Sequence, residues 1–477
     1  MLGPYGLGRY LIILCLGAGL ALCPFSSILA ASLTLDAAVK LAVDHDPETQ
    51  NAKARIDIGK LKKRQARQKF LPKVDVQTVY GPQLDFFGQP ITDQNVYSTS
   101  LGLEQPLYSG GTLKNSVKMA ESETQRYEWE YRLRELAIAA KAIKTYYQAL
   151  TTQAAISQYE ALLKAGLEDL QEAQTRRTTG KATRADVLEL EVKVLETRQK
   201  LSKARADYQV ALSGLRKLTG LDDAEEVRLT EHYPLQDIKS DLPRLLAEAQ
   251  SKRPVLAYLE EESNYQQYRV KMEKGKRLPQ LSLVARYGWQ SPEVIGEPKD
   301  WLVLLKGSIS FGNSTLSYGE QRNETYPNVF AFPTQALTGP RTFAFSVRSL
   351  SYTLFDGSSN KVQLEEAKAD QNLAKNRVQE SQRQTYYDVK DAWAQKTDSE
   401  ARMATAQRQI SLAEELVKIN RTKYGLGLTP LVEVFKARAA LSEARVNLIT
   451  AKNDRAIALG RLYQAVGREF HFQGAGP

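Results

Sequence analysis

Cysteine and histidine are nearly absent from this chain of 477 residues, which has two cysteines and three histidines. Cys15 and Cys23 both precede residue 30, and His45, His232 and His471 are far apart in sequence. This distribution excludes a framework of structural disulfides and argues against a zinc site of Cys and His ligands. No GxxxxGKS/T phosphate-binding loop and no catalytic constellation occurs, so we expect neither an enzyme nor a bound metal or cofactor.

Long apolar runs are also scarce. The run from Tyr10 to Cys23, followed by small residues, predicts a secretory signal peptide over residues 1–31, cut near Ala30 or Ala31. An uncleaved anchor is the alternative, and a lipoprotein is not expected because Leu22 precedes Cys23. Beyond the signal no run of 18 apolar residues occurs, so no membrane-spanning helix is predicted. The net charge of +10 is interspersed along an exported chain, which argues against a nucleic-acid partner.

Glycine and proline are sparse over two long stretches rich in Ala, Glu, Lys, Gln, Arg and Leu. These predict helices over about 111–179 and about 357–424, each about 100 Å long if continuous. Shorter helices are predicted over about 183–219 and about 429–466. Apolar residues step by three and four along both, as in Val187, Leu190 and Val194, which predicts left-handed coiled-coil packing.

The chain contains two copies of one unit. PLYSGGT at 106–112 matches TLFDGSS at 353–359, and GKATRADVLE at 180–189 matches GLTPLVEVFK at 427–436, both at an offset of 247. Earlier landmarks, Pro72 and Pro279, differ by 207, so the second copy has about 40 additional residues. We therefore predict a first repeat over 32–220, a linker over 221–241, a second repeat over 242–467 and a short tail over 468–477.

Each repeat changes from helical to strand patterning between its landmarks. Two strands are predicted over about 72–108, and two over about 279–355 with a long loop at 290–341. Segments of about ten alternating residues with aromatics near their ends are typical of outer-membrane strands, although a small soluble hairpin domain is the alternative. Four strands cannot close a barrel, so several chains must contribute, and three is the smallest number expected to leave a lumen. The loop at 290–341 is expected to form an extracellular cap or to extend the strands upward.

The order and duplication of these motifs resemble the TolC family of outer-membrane efflux proteins over essentially the whole mature chain. The resemblance rests on LTLDAAVKLAVDHDPE at 33–48, on FLPKV and RLPQL, on QPLYSGG, and on the turns GKATRADVL and YGLGLTPLVEVF. It implies a fold of mixed class: a homotrimer whose 12-stranded outer-membrane barrel continues into a periplasmic tunnel of 12 helices.

The resemblance also implies the function and the partners. The chain would be the outer-membrane exit duct of a tripartite export system, passing small molecules from an inner-membrane pump of the RND, MFS or ABC class through a periplasmic adaptor protein. The alternative transport function is that of the outer-membrane component of type I protein secretion. The alternative from another functional class is a periplasm-spanning coiled-coil scaffold without transport. A conduit of this kind has no energy source of its own, so its partner must supply the work.

The turns at Gly180 and Gly427 should lie at the end of the helices that is far from the strands. We expect them, with Lys181 and Leu428, to be the tips that dock the adaptor. Six charged or polar residues near the turns are candidates for a periplasmic constriction: Asp186, Glu189, Tyr424, Thr429, Glu433 and Lys436.

The resemblance places Glu433 on the family's inner constriction carboxylate and Asp186 on a network carboxylate of the first copy. It places Tyr424 and Thr429 on tip positions of the same network. Lys436 departs from the family by replacing a second acidic residue, and Thr429 by replacing an arginine. Lys436 should pair first with Glu433, one helical turn away, and next with Asp186; a solvated Glu433–Lys436 pair without a gating role is the alternative.

Overall fold

The structure is a computed structural model that describes residues 32–84, 90–222, 227–231, 233–291, 300–311, 314–324, 344–353, 359–470 and 472. The predicted signal peptide, with both cysteines, lies outside the described residues, as do parts of the predicted 290–341 loop. Within the described ranges, no helix is both long and apolar enough to cross a membrane.

Helices dominate both halves of the chain. In order they are α1 (Leu35–His45), α2 (Pro47–Gln68), α3 (Thr112–Thr178), α4 (Arg184–Thr219), α5 (Leu242–Lys252), α6 (Pro254–Gly275), α7 (Ser359–Gly425) and α8 (Leu431–Val466). The strands are β1 (Ser32–Leu33), β2 (Lys73–Leu84), β3 (Pro90–Tyr108), β4 (Arg228–Leu229), β5 (Gln280–Ser291), β6 (Asp300–Phe311), β7 (Ser314–Glu324) and β8 (Ala344–Thr353).

The elements repeat with matching lengths. Helices α3 and α7 each have 67 residues and start 247 positions apart, at Thr112 and Ser359. Helices α4 and α8 each have 36 residues and start 247 positions apart, at Arg184 and Leu431. The earlier helices α2 and α6, with 22 residues each, start 207 positions apart, at Pro47 and Pro254. A residue in one long helix therefore has an equivalent 247 positions away.

The long helices form one layer. In the half of the molecule away from the sheet, the helices pack in the order α4, α3, α8, α7. In the half next to the sheet, they pack in the order α2, α3, α6, α7. The main apolar core lies midway along α3, where Tyr146 and Tyr147 are fully buried. The hydroxyl of Tyr146 donates to the carbonyl of Leu33 at 2.9 Å and accepts from the amide of Thr230 at 3.1 Å, which fixes the β1 strand to the layer.

The sheet contains six antiparallel strands in the order β2-β3-β5-β6-β7-β8, so the prediction of four strands per chain is wrong. The additional strands, β6 and β7, come from the segment predicted as a long loop at 290–341. Gln280 at the start of β5 pairs with Ser308, and Phe311 pairs with Ser314. The Phe311–Ser314 end of this hairpin therefore lies level with the start of β5, and the hairpin runs the full height of β5. Residues 292–299 and 325–343, where the predicted extracellular cap would lie, are outside the described residues.

Candidate functional site: the helix-tip region

Two turns join the long helices at the end of the molecule away from the sheet. In the first, Gly180 has φ of +74° and its amide donates to the carbonyl of Arg177, while Lys181 donates to Arg176. In the second, Gly427 has φ of +72°, with the equivalent bonds from Gly427 to Tyr424 and from Leu428 to Lys423. Both are Schellman motifs, in which a left-handed glycine satisfies the last carbonyls of a helix. The sequence motifs thus build the same turn twice.

Asp186 stabilises the start of α4. Its Oδ2 accepts from the amide of Thr183 at 2.9 Å and from the Thr183 hydroxyl at 2.7 Å, and the same hydroxyl accepts from the Asp186 amide at 3.1 Å. This is a capping box, and the hydrogen bonds from the Thr183 side chain and then its backbone lower the pKa of Asp186. Asp186 is therefore bound to its own helix and is not the second partner of Lys436, which corrects that expectation.

We expect Asp186→Ala to loosen the first turn, because it removes the hydrogen bonds that Oδ2 accepts from the Thr183 amide and hydroxyl, each with a net contribution of about 1 kcal/mol, while the bond from the residue-186 amide to the Thr183 hydroxyl remains. Trypsin should then cleave faster at Arg176, Arg177 or Lys181, which flank Gly180. Asp207→Ala, which removes an exposed carboxylate farther along α4, is the control and should leave the cleavage rate unchanged. Equal rates for both variants would show that the capping box does not hold the turn.

Lys436 joins two carboxylates of different helices. Its Nζ lies 2.8 Å from Oε1 of Glu433 on α8 and 2.8 Å from Oε1 of Glu189 on α4. These hydrogen bonds, to Glu189 first and then Glu433, raise the pKa of Lys436. The pairing with Glu433 is as predicted, whereas Glu189 occupies the place that the sequence assigned to Asp186. The cluster links the first repeat to the second.

Tyr424 makes a second link between repeats. Its hydroxyl donates to Oε1 of Glu172 on α3 at 2.7 Å, and the guanidinium of Arg176 lies over its ring at 4.5 Å. Arg176 also pairs with Glu172 at 3.0 Å. Burial, followed by the hydrogen bond to Glu172, raises the pKa of Tyr424 to about 12, so the hydroxyl stays protonated and donates at neutral pH.

A third link lies deeper between α3 and α8, where Arg438 contacts the nearly buried Asp169 at 2.7 Å. Burial raises the pKa of Asp169, and the adjacent Arg438 opposes that rise. Under these polar pairs lies an apolar cluster, defined here as the tip core: Leu162, Ala173, Val187, Leu190, Leu431, Val434 and Phe435. Phe435 is 1% exposed, and a Cβ on Gly166 would lie 2.6 Å from its Cε2. Gly166 therefore makes the room for this ring.

Most of the predicted site residues surround one pocket. A cavity of about 260 Å³ between the turns is lined by Lys181, Asp186, Tyr424, Gly427, Leu428 and Thr429, among others. Glu189, Glu433 and Lys436 form the ion cluster described above, and Gly180 is exposed in the first turn with open space around its α-carbon. No group of acidic, Cys or His side chains suited to a metal ion occurs in the described part of the chain.

The sequence reasoning missed Glu172, Arg176, Asp169, Arg438 and Phe435. Glu172 and Arg176 show a weak signal, because a Glu four residues before an Arg is a common helix pair. No sequence signal marks Asp169 and Arg438, because they lie on different helices and are 269 positions apart in sequence. Phe435 is an aromatic residue beside the aliphatic Leu431 and Val434 at the start of α8, and its size could have marked it as a packing residue.

Comparison with known proteins gives consistent results. A family model described as an outer membrane efflux protein matches residues 38–221 and 245–468. The alkaline protease secretion protein AprF of Pseudomonas aeruginosa is 23% identical over 438 residues, which are 88% of this chain and 82% of AprF. The outer membrane efflux protein BepC of Brucella suis is 23% identical over 381 residues, 80% of this chain and 74% of BepC.

Solved structures share the fold. The CmeC outer membrane channel of Campylobacter jejuni superposes with a TM-score of 0.71 at 15% identity, covering 93% of this chain and 87% of CmeC. The MtrE outer membrane channel of Neisseria gonorrhoeae, in its open state, superposes with a TM-score of 0.68 at 16% identity, covering 93% of this chain and 91% of MtrE.

Proposed function

The chain belongs to the outer membrane efflux protein family, and from this premise we propose that three copies form a continuous exit duct through the outer membrane and the periplasm. The observation that carries the proposal is that the sheet and the helical layer are open at both edges. In the described part of the chain, β2 and β8 are the edge strands, and α4 and α7 are the outer helices of the layer. Unpaired strand edges cannot face lipid, so each edge requires another copy.

The helix edges match each other through the internal repeat. Inside the chain α3 packs on α8, with Phe435 against Gly166. The positions equivalent to these two are Leu188 on α4 and Ala413 on α7, both 247 positions away. Leu188 is 50% exposed where Phe435 is buried. The α7 helix of one copy can therefore receive α4 of the next copy as α3 receives α8.

The proposed joint between copies is more apolar than the joint inside the chain. Leu416 on α7 occupies the position equivalent to Asp169, and Ile419 occupies that of Glu172. Both are exposed, as are Val192 and Leu195 on α4. Burying these side chains in the joint favours assembly by the hydrophobic effect. With six strands per chain, strand number alone no longer excludes two copies, so the number three rests on the family resemblance.

Cross-linking tests this assembly. Because the two natural cysteines lie in the predicted signal peptide, the variant Leu188→Cys/Ala413→Cys should form disulfides only between copies. Oxidation should give dimers and a closed trimer on a denaturing gel. Asp207→Cys/Ala413→Cys is the matched control, since Asp207 lies about 28 Å farther along α4. No cross-link, equal cross-linking in the control, or a ladder that ends at the dimer would contradict the proposal.

We propose further that the two turns dock a periplasmic adaptor protein, which connects the duct to an inner-membrane transporter of the RND, MFS or ABC class. Leu428 is 73% exposed beside Gly427, and Lys181 is its equivalent beside Gly180. Each copy thus presents one apolar and one basic tip, and an apolar tip on an exposed turn is suited to a protein partner.

Leu428→Asp should abolish export while leaving the trimer intact, because it adds a charge to the docking surface and touches no core residue. Complementation of a deletion strain measures export, and the cross-linking assay measures assembly. Leu167→Asp, a comparable change on an exposed part of α3, is the control and should retain export. Normal export by Leu428→Asp would place adaptor docking elsewhere.

We propose small toxic molecules as the cargo. Likeness to AprF, whose name states protease secretion, favours polypeptide secretion as the second candidate. A deletion strain separates them. Drug hypersensitivity with an unchanged set of secreted proteins supports small-molecule efflux, and loss of a secreted protein without hypersensitivity supports the second candidate. If neither drug sensitivity nor the set of secreted proteins changes, the result would support a scaffold without transport.

The ion cluster of Glu189, Glu433 and Lys436, with Asp186, Tyr424 and Thr429 nearby, is proposed as the periplasmic constriction of the duct. In a trimer each charge becomes part of a ring of three, and rings of charge control ion passage. The cluster lies at the end of the tunnel that would otherwise leave the duct open to the periplasm.

A further inference from the structure

A stripe of residues along α3 identifies the two faces of the helical layer. From Lys114, steps of four and three residues reach Glu121, Arg132 and Tyr146, so these side chains share one side of the helix. Arg132 pairs with Glu469 of the C-terminal segment at 3.0 Å, and the Tyr146 hydroxyl donates to a β1 carbonyl at 2.9 Å. The stripe therefore lies on the face of the layer that carries β1, α1, α5 and the C-terminal segment.

That face is the outside of the proposed tube. Twelve helices with axes about 8–10 Å apart form a ring roughly 30–38 Å across, and the helices themselves occupy about 10 Å of this width. The remaining interior, roughly 20–28 Å wide, cannot hold α1 and α5 of three copies and stay open, since each helix is about 10 Å thick. We call the face that carries these segments the outer face.

Basic side chains from three helices lie on the outer face next to the sheet. On α2, Arg67 pairs with Glu121 of the stripe at 3.0 Å, and Arg64, one helical turn earlier, lines the same surface pocket as Arg67. Leu71 also lines this pocket and is 61% exposed, two residues before β2 begins at Lys73. The end of α2 thus presents two arginines beside an exposed apolar side chain.

Helices α3 and α6 continue the same basic surface. Lys114 and Lys118 both belong to the stripe of α3. Lys118 lies 5.2 Å from the ring centroid of Tyr268 on α6, and Lys271 lies 5.1 Å from it, with Lys274 one turn further along. These residues and the two arginines are at most six positions from a helix end that leads into a strand, which is about 10 Å or less along the axis.

Cations on the opposite face are neutralised within the chain. Glu123 follows Glu121 by two residues and therefore lies on the other side of α3, where it pairs with Lys62 at 2.7 Å. The pair recurs at the equivalent positions of the second repeat as Arg269 and Asp370, at 2.6 Å. Both repeats thus keep an acid for each of these inward cations.

The outer face keeps an excess of positive charge instead. Arg64, Lys114 and Lys274 are exposed and make no ion pair within the part of the chain that the structure describes. In a trimer this excess is repeated three times around one ring, where like charges repel unless an anionic partner neutralises them.

We propose that a basic collar at the top of the helical tube binds anionic phospholipid head groups of the membrane leaflet that faces the periplasm. The collar consists of Arg64, Arg67, Lys114, Lys118, Lys271 and Lys274 of each copy. This inference rests on the outer-membrane duct proposed above. Basic residues beside an anionic membrane surface attract it additively, and the attraction acts only within about a Debye length, which the collar satisfies.

Exposed apolar side chains mark where the membrane would begin. Leu71 and its equivalent Leu278 are 61% and 47% exposed, and they lie between the collar and the strands. Beyond them, Val76 pairs with Leu101 and Leu101 with Tyr287, which puts three exposed apolar side chains of β2, β3 and β5 on one face. Long basic side chains next to such a boundary can reach the phosphate groups while their methylene groups contact apolar surface.

Lipid selectivity of the full-length protein in vesicles tests the inference. Electron spin resonance of spin-labelled phosphatidylglycerol and phosphatidylcholine measures their relative association with the protein. The unmodified protein should prefer the anionic lipid by about threefold or more at low salt, and the preference should fall as salt is added. The collar variant Arg64→Gln/Lys114→Gln/Lys274→Gln should lose at least about half of that preference. The matched control removes one arginine and two lysines from an exposed part of α4 and should keep the preference: Arg198→Gln/Lys200→Gln/Lys203→Gln.

The outcomes separate the two proposals. If the protein forms conducting trimers but shows no preference for the anionic lipid, or if the collar variant keeps the preference, the inference fails while the proposed duct stands. If the protein neither forms trimers nor conducts, the duct itself fails. Inorganic phosphate and chloride at equal ionic strength should weaken the preference equally. Stronger competition by phosphate would indicate a site for free anions and would overturn the assignment to lipid. The measurement on the unmodified protein stands even if the collar variant does not fold.

Discussion

Lys436→Glu is expected to open the constriction and to make the channel more selective for cations. The substitution removes the pairs with Glu189 and Glu433 and adds a third carboxylate beside them. Exposed ion pairs contribute about 0.2–1 kcal/mol each. Only the pair with Glu189 joins two helices, because Glu433 and Lys436 both lie on α8. One such pair in each of three chains therefore stabilises the closed state by about 0.6–3 kcal/mol, before repulsion among the carboxylates is added. Since about 1.4 kcal/mol corresponds to a factor of ten, the open fraction should rise by about threefold or more.

Single-channel recording in a planar bilayer measures both effects, as the open probability and as the reversal potential under a salt gradient. Lys203→Glu, the same charge change at an exposed position farther along α4, is the control and should match the parent. If Lys436→Glu also matches the parent in both quantities, the cluster lines no constriction and belongs to a solvated helix surface.

The cluster also predicts how single acidic variants behave. The sequence predicts Glu433 as the first partner of Lys436, and Glu189 also lies 2.8 Å from the Lys436 Nζ, so one carboxylate remains when Glu433 is removed. Glu433→Ala should therefore change the open probability and the reversal potential only slightly. A shift of ion selectivity toward anions should require Glu189→Gln and Glu433→Gln together. Because the pKa of Lys436 is raised, its stabilising contribution is complete below the ordinary lysine pKa and is lost only as pH rises through the raised value. Conductance should thus be independent of lysine titration near neutral pH.

The long helices were predictable because their signals are local and repeated. Residues 111–179 and 357–424 were predicted as helices, and α3 and α7 end within two residues of those bounds. A glycine turn with heptad spacing on both sides is compatible with few structures other than two helices joined by that turn. The internal repeat further restricts each assignment, because a feature in one copy must recur 247 positions later.

The β6–β7 hairpin was missed for a physical reason. The sequence from Trp301 to Leu305 is apolar at every position, so it lacks the alternation that identifies a strand with one polar face. The dipeptide Gly312-Asn313, a common two-residue hairpin sequence, was the signal available. The partner of Lys436 was missed for a different reason. Glu189 lies on another helix, and no spacing rule connects residues that meet only through tertiary packing.

Packing, and not charge, is expected to supply most of the stability of the tip. Phe435 is buried against Gly166 in the tip core, and deleting a buried aromatic side chain costs about 3–5 kcal/mol, more than any single exposed ion pair. Phe435→Ala should therefore increase local opening far more than Lys436→Gln. Hydrogen exchange of peptides covering 162–173 and 431–439 measures that opening.

The fit between Phe435 and Gly166 predicts a large coupling energy between the two positions in a double-mutant cycle. Gly166→Ala alone should destabilise the tip by about 1–3 kcal/mol, because the new Cβ would lie 2.6 Å from Cε2 of Phe435 and 3.1 Å from Cγ2 of Val194. In a Phe435→Leu background the ring is gone and the 3.1 Å approach to Val194 remains, so the same change should cost far less, because the gain of about 1 kcal/mol for alanine over glycine within a helix offsets that contact. Gly214→Ala is the control: its Cβ would meet Thr145 at an ordinary 3.7 Å, so it should be stabilising in both backgrounds. If Gly166→Ala has the same effect with and without Phe435, the two residues are not coupled, and the repeat-based placement of Leu188 against Ala413 in the neighbouring copy loses its template.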